Sequence, residues 1–144
     1  MIRSVAAGFA AALTLMAALP AAAVPTATPR NGSFSGTETE PTADLAVSFT
    51  VVRHARVTAF NGTAQVKPGC TNPITSYQTP YGPFAIGPKG KFSGVSSSYP
   101  KPAPTVRVTG RFTSPKKAVG IIAITFAKKK GCSARRHFTA RFQP

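Results

Sequence analysis

The C-terminal part of the chain carries the pattern that most restricts the fold. Residues 118–126 (AVGIIAITF) form an apolar run, and residues 128–132 (KKKGC) form a basic turn after it. Residues 134–142 (ARRHFTARF) then alternate, with Phe138 on the apolar side and Arg135 on the basic side. Period-two alternation that is rich in β-branched and aromatic residues is typical of strands, because successive side chains of a strand point to opposite faces. The segment therefore predicts an antiparallel hairpin with one buried face and one basic face.

Shorter segments of the same kind recur upstream. Residues 45–51 and 106–112 alternate between apolar and polar side chains, and a Gly-x-Phe-hydroxyl motif stands at 32–35, 90–93 and 110–113. No window shows helical spacing with capping residues, and the 14 prolines and 12 glycines separate short strands. These features predict an all-β fold, specifically a two-sheet antiparallel β-sandwich of about seven to nine strands.

One turn signal lies inside a strand pattern. Asn61-Gly62 follows the alternating residues 56–60, and Ala64 to Val66 continues the pattern after it. Asn-Gly is the strongest short hairpin signal, but a glycine inside a strand also marks a bulge. Both a tight hairpin and a bulged strand are consistent with this sequence.

The N-terminus has the organisation of an export signal. Arg3 precedes the apolar residues 5–19, and three alanines stand at 21–23, the order found in secretory signal peptides. The apolar stretch is shorter than the roughly 20 residues that a membrane span needs, so we expect cleavage after Ala23 rather than an uncleaved anchor, and a secreted chain. The expected segments are a signal peptide at 1–23, a flexible Pro- and Thr-rich lead-in at 24–31 and a single domain at 32–144.

The charge of the chain is distributed unevenly. The formal net charge is +15, and removal of Arg3 with the signal peptide leaves +14. No acid follows Asp44, whereas 16 Lys and Arg residues do. Such a surface attracts polyanions in a salt-dependent manner, although a cationic surface can also serve solubility alone. The candidate polyanion-binding residues are Lys116, Lys117, Lys128, Lys129, Lys130, Arg135 and Arg141.

Residues 71–104 interrupt the strand pattern with repeated prolines and glycines. Tyr77, Tyr81 and Tyr99 are the three tyrosines of the chain, and all lie in or beside this stretch. A tyrosine offers a flat apolar ring and a hydroxyl, which suit contact with sugars or with a partner protein. The alternative is that each ring covers a sheet edge and has a structural role.

The two cysteines, Cys70 and Cys132, are predicted to form a disulfide. An exported protein with an even number of cysteines usually pairs them. The bond would close a loop of about 60 residues and contribute on the order of 4 kcal/mol by reducing the entropy of the unfolded chain. A metal site that adds His54 and His137 is the competing arrangement, but structural zinc sites use closely spaced ligand pairs. We expect no metal and no cofactor.

The acids limit the chemistry that the chain can perform. Glycosidases need two carboxylates facing each other across the bond to be cleaved, whereas Glu38, Glu40 and Asp44 cluster in one short segment. A Ser-His-acid site would need His54 or His137 with one of these acids, and no nucleophile-elbow sequence accompanies them. The sequence therefore predicts a protein that is not an enzyme.

The chain resembles a group of short exported all-β proteins of actinobacteria. The motifs that carry the resemblance are GSFSG at 32–36, GKFSG at 90–94, VTGRF at 108–112, Gly131-Cys132, and the final aromatic strand at 138–142. The resemblance implies a secreted β-sandwich with one disulfide. It implies no activity and no site.

These observations predict a secreted, non-enzymatic binding module that associates with an anionic polymer or glycan of the cell envelope or extracellular matrix. The alternative is a protein ligand or inhibitor of an extracellular enzyme that acts through the Pro- and Tyr-rich loop 73–90. Nucleic acid is a weaker candidate, because the chain is predicted to be exported and carries no recognised nucleic-acid motif.

Overall fold

The computed structural model describes residues 27–38, 45–66, 69–70, 76–97 and 104–144. The expected signal peptide, Glu40, Asp44 and Tyr99 lie outside these ranges. Ten strands account for most of the described chain: β1 Gly32–Glu38, β2 Ala46–Val52, β3 Arg56–Asn61, β4 Thr63–Gln65, β5 Ser76–Gln78, β6 Phe84–Ala85, β7 Lys91–Ser97, β8 Thr105–Ser114, β9 Lys117–Thr125 and β10 Ala134–Phe142. Two short 3-10 helices span Pro88–Gly90 and Lys130–Cys132. The all-β prediction is confirmed.

Eight of the strands form one continuous antiparallel sheet that curls until its two ends meet. The order of hydrogen-bonded neighbours is β6-β3-β2-β1-β10-β9-β8-β7, and β4 pairs with β5 in a separate small sheet. The end strands β6 and β7 contact each other, and the ring of Phe84 occupies the space where Gly94 would carry a Cβ. A nearly closed barrel therefore replaces the predicted two-sheet sandwich.

The barrel forms because β10 joins two halves of the chain and because the sheet can bend. β10 pairs with β1 on one side and with β9 on the other, so the N-terminal and C-terminal strands become one sheet. On the inner face Gly110 lies opposite Gly120, and the rings of Phe92 and Phe138 cover these two glycines. Sheets curve where glycines and bulges relieve crowding, and aromatic rings fill the space that the missing side chains leave.

Aromatic rings fill the interior. Phe34 stacks on Phe49 with a centroid distance of 5.1 Å, and Phe49 stacks on Phe60 at 5.6 Å. Phe138 meets Phe60 edge-on at 5.7 Å. Full burial of one such side chain contributes about 1.5–3 kcal/mol, and a favourable ring pair adds roughly 0.5–1.5 kcal/mol.

The two faces of the C-terminal hairpin lie as the alternation predicts. On β9 and β10 the inner face carries Ala118, Ile122, Ile124, Phe138 and Ala140, each no more than 1% exposed. The outer face of β10 carries Arg135, His137 and Arg141, which are exposed. The interior of the barrel and a basic outer surface thus share the same two strands.

One end of the barrel, here called the turn end, carries the β2–β3 turn, the β8–β9 turn and residues 27–31. The backbone N–H of His54 donates to Asn31 Oδ1 at 2.6 Å, and Asn31 Nδ2 donates to His54 Nε2 at 3.1 Å. Nδ1 of His54 donates to the Pro29 carbonyl at 2.6 Å, since a carbonyl oxygen can only accept. The Arg30 N–H donates to the Pro115 carbonyl at 2.9 Å. These contacts hold residues 27–31 across the turn end.

The opposite end, here called the disulfide end, is covered by the small β4–β5 sheet. Cys70 and Cys132 form the predicted disulfide, with Cα atoms 5.5 Å apart and a sequence separation of 62. β4 contacts β9 and β10, so the small sheet packs on the large one. Disulfides are typical of proteins that fold in oxidising compartments.

Asn61-Gly62 does not form a hairpin. β3 ends at Asn61 and pairs with β2, whereas β4 begins after Gly62 and pairs with β5. The pairing of β2 with β3 shifts register between Ser48 and Thr50, and Ala59 has a φ of 50°. A bulge does occur in β3, but it lies at Ala59, and Gly62 marks the point where the chain passes from the large sheet to the small one.

Candidate functional site

Four cations form a diagonal line across the outer face of β7, β8, β9 and β10. Lys91 of β7 is the direct cross-strand partner of Arg111 of β8, and Lys117 of β9 is the partner of Arg141 of β10. Arg111 pairs with Val119, which stands two residues from Lys117 on the same face of β9. We call Lys91, Arg111, Lys117 and Arg141 the cationic stripe; at about 4.8 Å per strand it spans roughly 14 Å.

The cationic stripe is electrostatically unfavourable without an anionic partner. Like charges directly opposite each other in an antiparallel pair are destabilising, and the stripe contains two such pairs. Glu38 is the one acid in the part of the chain that the structure describes, and it is 1% exposed on the inner side of β1. The described outer surface therefore offers the stripe no Asp or Glu side chain.

A groove of about 920 Å³ lies beside the stripe on the same face. Its central row crosses four strands in register and consists of Ser93, Thr109, Ile121 and His137. Val119 and Ile121 are half-buried, and they give the groove an apolar floor between hydroxyl-bearing side chains. The groove thus combines hydrogen-bonding groups, an apolar surface and flanking positive charge.

The seven cations named from the sequence fall into two groups. Lys116, Lys117 and Arg141 lie near the turn end, whereas Lys128 and Lys129 lie between β9 and β10 at the disulfide end. Eight residue steps of β9 separate the two ends, which is roughly 27 Å. Arg135 and the backbone of Lys130 also lie toward the disulfide end; the side chain of Lys130 is not among those described.

Lys129 has a structural contact at the disulfide end. Its Nζ donates to the Cys70 carbonyl at 3.1 Å, and its own carbonyl accepts the Cys132 N–H at 2.9 Å. The ammonium group is thereby held near the disulfide. It lies on a different part of the surface from the cationic stripe.

Lys91 and Arg111 were missed by sequence reasoning, although a local signal was present. Each stands between a glycine and a phenylalanine, in Gly90-Lys91-Phe92 and in Gly110-Arg111-Phe112. Because Phe92 and Phe112 are buried, the basic residue before each one must point outward. The signal identifies two outward cations but cannot show that they face each other.

The tyrosines have different environments. Tyr77 is half-buried and meets Phe126 edge-on at 6.2 Å, which is a structural contact. Tyr81 is 69% exposed and lines a cleft of about 560 Å³ together with Val52, Arg53, Arg56 and Pro83. Tyr99 lies outside the described residues. Only Tyr81 is therefore placed by the structure on an accessible surface.

The segment around Tyr81 is bonded to β3 rather than projecting as a loop. The Phe60 N–H donates to the Tyr81 carbonyl at 2.9 Å, and the Ile86 N–H donates to the Ala55 carbonyl at 2.7 Å. Thr79 donates to the Gly62 carbonyl through its N–H at 3.2 Å and through its hydroxyl at 3.1 Å. The described part of the Pro- and Tyr-rich segment thus forms a fixed edge of the barrel.

The histidines and the described acid occupy separate parts of the molecule. His54 contacts Pro29 and Asn31 at the turn end, His137 faces outward from β10, and Glu38 faces inward from β1. Among the residues with described positions, no three His, Cys, Asp or Glu side chains are grouped as metal ligands. No helix in that part of the chain is long and apolar enough to cross a membrane.

No protein-family model matches the chain, and searches of curated proteins and of solved structures return no similar protein. The resemblance to short exported proteins of actinobacteria therefore stays a prediction.

Proposed function

We propose that the protein is a secreted, non-enzymatic binding module that holds an anionic polymer or glycan of the cell envelope or extracellular matrix on the outer face of β7 to β10. The observation that supports this proposal most strongly is the cationic stripe, whose two like-charged cross-strand pairs meet no Asp or Glu side chain on the described outer surface. The Cys70–Cys132 disulfide supports folding in an oxidising compartment, as secretion requires.

A polymer suits the stripe better than a small anion does. Four cations in a line can contact successive charges of one chain, and each contact releases counterions that had condensed on the polymer. Binding of this kind weakens steeply as salt is added, because exposed charges are screened over about 10 Å at 0.1 M ionic strength. Neighbouring cations of the stripe, on strands about 4.8 Å apart, lie well within that distance, so adjacent charges act on the same segment of polymer.

The test compares two double variants of equal charge. Lys91→Gln with Arg111→Gln removes half of the cationic stripe, whereas Lys128→Gln with Lys129→Gln removes two charges at the disulfide end. On immobilised heparin, we expect the first variant to elute at clearly lower salt than the second. If the two variants elute at the same salt concentration, net charge alone controls retention and the stripe is not the binding site.

A second candidate function is that of a protein ligand or inhibitor of an extracellular enzyme. The observation that favours it is the 69% exposure of Tyr81 at a cleft that also contains Arg53 and Arg56. Tyrosine and arginine are enriched among the residues that dominate binding energy at protein interfaces. If this function is correct, Tyr81→Ala abolishes inhibition of a target enzyme from the culture medium. Tyr77→Phe leaves that inhibition unchanged, and neither substitution alters retention on heparin.

A further inference from the structure

We propose that the groove beside the cationic stripe selects acidic saccharides, polymers that carry their carboxylate or sulfate groups on sugar rings. This inference rests on the proposed function and names the ligand class. It depends on the groove's central row and floor, whereas the proposed function depends on the stripe. The two can therefore fail separately.

The central row supplies hydrogen-bonding groups in the arrangement that a sugar needs. Ser93, Thr109 and His137 lie in one line across β7, β8 and β10, with Ile121 between the last two on β9. Thr139 pairs with Val119 in the adjacent row. Hydroxyls both donate and accept hydrogen bonds, and an imidazole does so in its neutral form. They match sugar hydroxyls, which also act in both ways.

The floor of the groove excludes the simplest polyanions as preferred ligands. Val119 and Ile121 are half-buried, so a ligand with an apolar face gains by covering them. The C–H face of a sugar ring is such a surface, whereas a polyphosphate chain has none. Single-stranded nucleic acids bind by stacking bases on aromatic side chains. The aromatic residues that line the groove, Phe92 and Phe138, belong to the buried inner face in the described structure.

Positive charge brackets the groove on both sides. Lys91 and Arg111 occupy the row nearer the turn end, and Arg107 and Arg135, which both pair with Ala123, occupy the row nearer the disulfide end. The two rows are four residue steps apart, or roughly 14 Å. The planar guanidinium of arginine binds carboxylate and other oxyanions through two parallel hydrogen bonds. A saccharide with anionic groups on some units and hydroxyls on all units fits this pattern.

The experiment measures affinity by calorimetry for four chain-length-matched ligands: a polyuronate oligosaccharide, a sulfated oligosaccharide, polyphosphate and oligo-dT. Thr109→Gln enlarges a neutral side chain in the middle of the groove. Thr125→Gln makes the same change on the outer face of β9 beyond the groove, and Ser93→Gln provides a second groove variant. Circular dichroism and thermal melts confirm that each variant is folded.

We expect Thr109→Gln and Ser93→Gln to weaken binding of at least one oligosaccharide by about tenfold, which is about 1.4 kcal/mol. Polyphosphate and oligo-dT should change by less than about twofold, and Thr125→Gln should change nothing. The two oligosaccharides distinguish carboxylate from sulfate as the preferred group. The inference is overturned if the two groove variants weaken the binding of all four ligands equally, or if they weaken the binding of neither oligosaccharide. Unchanged binding of every ligand by the Lys91→Gln, Arg111→Gln variant instead overturns the proposed function.

Discussion

Arg53 and His54 hold the left-handed backbone conformation in the β2–β3 turn. Their φ angles are 53° and 54°, and the Ala55 N–H donates to the Val52 carbonyl at 3.1 Å across the turn. Two central residues with positive φ define the turn type that suits hairpins, and glycine or asparagine usually occupies these positions. The three hydrogen bonds of His54 to Pro29 and Asn31 offset the conformational cost at that residue.

These two positions should respond oppositely to glycine. We expect Arg53→Gly to raise the free energy of unfolding by up to about 1 kcal/mol, because the left-handed conformation costs a side-chain-bearing residue roughly that amount. We expect His54→Gly to lower it by about 1–2 kcal/mol, because the imidazole hydrogen bonds are lost and the part-buried Pro29 carbonyl loses its donor. Urea denaturation of both variants measures the difference. Equal stabilisation by both substitutions would show that the His54 contacts contribute nothing.

Glu38 is a buried carboxylate in a chain with few acids. It lies opposite Phe138 on the inner side of the β1–β10 pair, and Arg136 stands two residues from Phe138 on the same face. The Arg136 Nε atom is also buried. The register thus places the carboxylate and the guanidinium diagonally across one strand pair, within reach of long side chains.

We expect Glu38 and Arg136 to stabilise each other as an internal ion pair. Glu38→Ala alone should lower the free energy of unfolding by up to about 3 kcal/mol, since it leaves a partly buried guanidinium without its expected partner. The double variant with Arg136→Met should be more stable than the sum of the two single effects predicts. Thermal denaturation of all three variants gives the coupling energy. Strict additivity would argue against the pair.

At the scale of the strands, the candidate site depends on the register in which neighbouring strands pair. The cationic stripe requires that β7 pairs with β8 so that Lys91 meets Arg111, and that β9 pairs with β10 so that Lys117 meets Arg141. A slip of one residue would turn these side chains to the inner face. The close packing of rings on the inner glycines opposes such a slip, because each ring fits one glycine position.

Gly120 should tolerate no side chain. A Cβ at this position would meet the Phe138 ring at 2.5 Å and would also collide with the Thr109 carbonyl. We expect Gly120→Ala to lower the free energy of unfolding by about 1–3 kcal/mol, the usual cost of overpacking a core. Gly131→Ala is the matched control, because its Cβ would have no neighbour within 4 Å. Similar melting temperatures for the two variants would contradict the proposed packing.

At the scale of the whole molecule, the turn end and the disulfide end are stabilised by different means. The Cys70–Cys132 bond closes a loop of 62 residues at one end. At the other end residues 27–31 are held by hydrogen bonds, and the Arg30 guanidinium lies 5.2 Å from the centre of the Phe142 ring. The stripe lies nearer the turn end, so its geometry does not depend directly on the disulfide.

Removal of the disulfide tests this separation. We expect Cys70→Ala with Cys132→Ala to lower the free energy of unfolding by about 4 kcal/mol, because the unfolded chain regains the entropy of an open loop. Retention on heparin, measured at a temperature where the variant is folded, should be unchanged. Loss of retention in the folded variant would show that the disulfide end contributes to the binding surface.

Several features followed from the sequence alone because they depend on neighbouring residues. Period-two alternation in residues 134–142 predicted which side chains of β10 point inward, and Phe138 is indeed buried while Arg135 and Arg141 are exposed. The pairing of Cys70 with Cys132 followed from their number and the export signal. The all-β class followed from the repetition of short alternating segments.

Other features were decided only by the tertiary structure, because they depend on which strands become neighbours. Alternation identifies a buried face but does not show whether a second sheet or the far wall of one curled sheet covers it. Lys91 lies opposite Arg111, and this pair lies beside the pair formed by Lys117 and Arg141. The four residues are up to 50 positions apart in the sequence. The register of the β7–β8, β8–β9 and β9–β10 pairs sets these meetings, and it depends on the geometry of the connections as well as on the alternation within each strand.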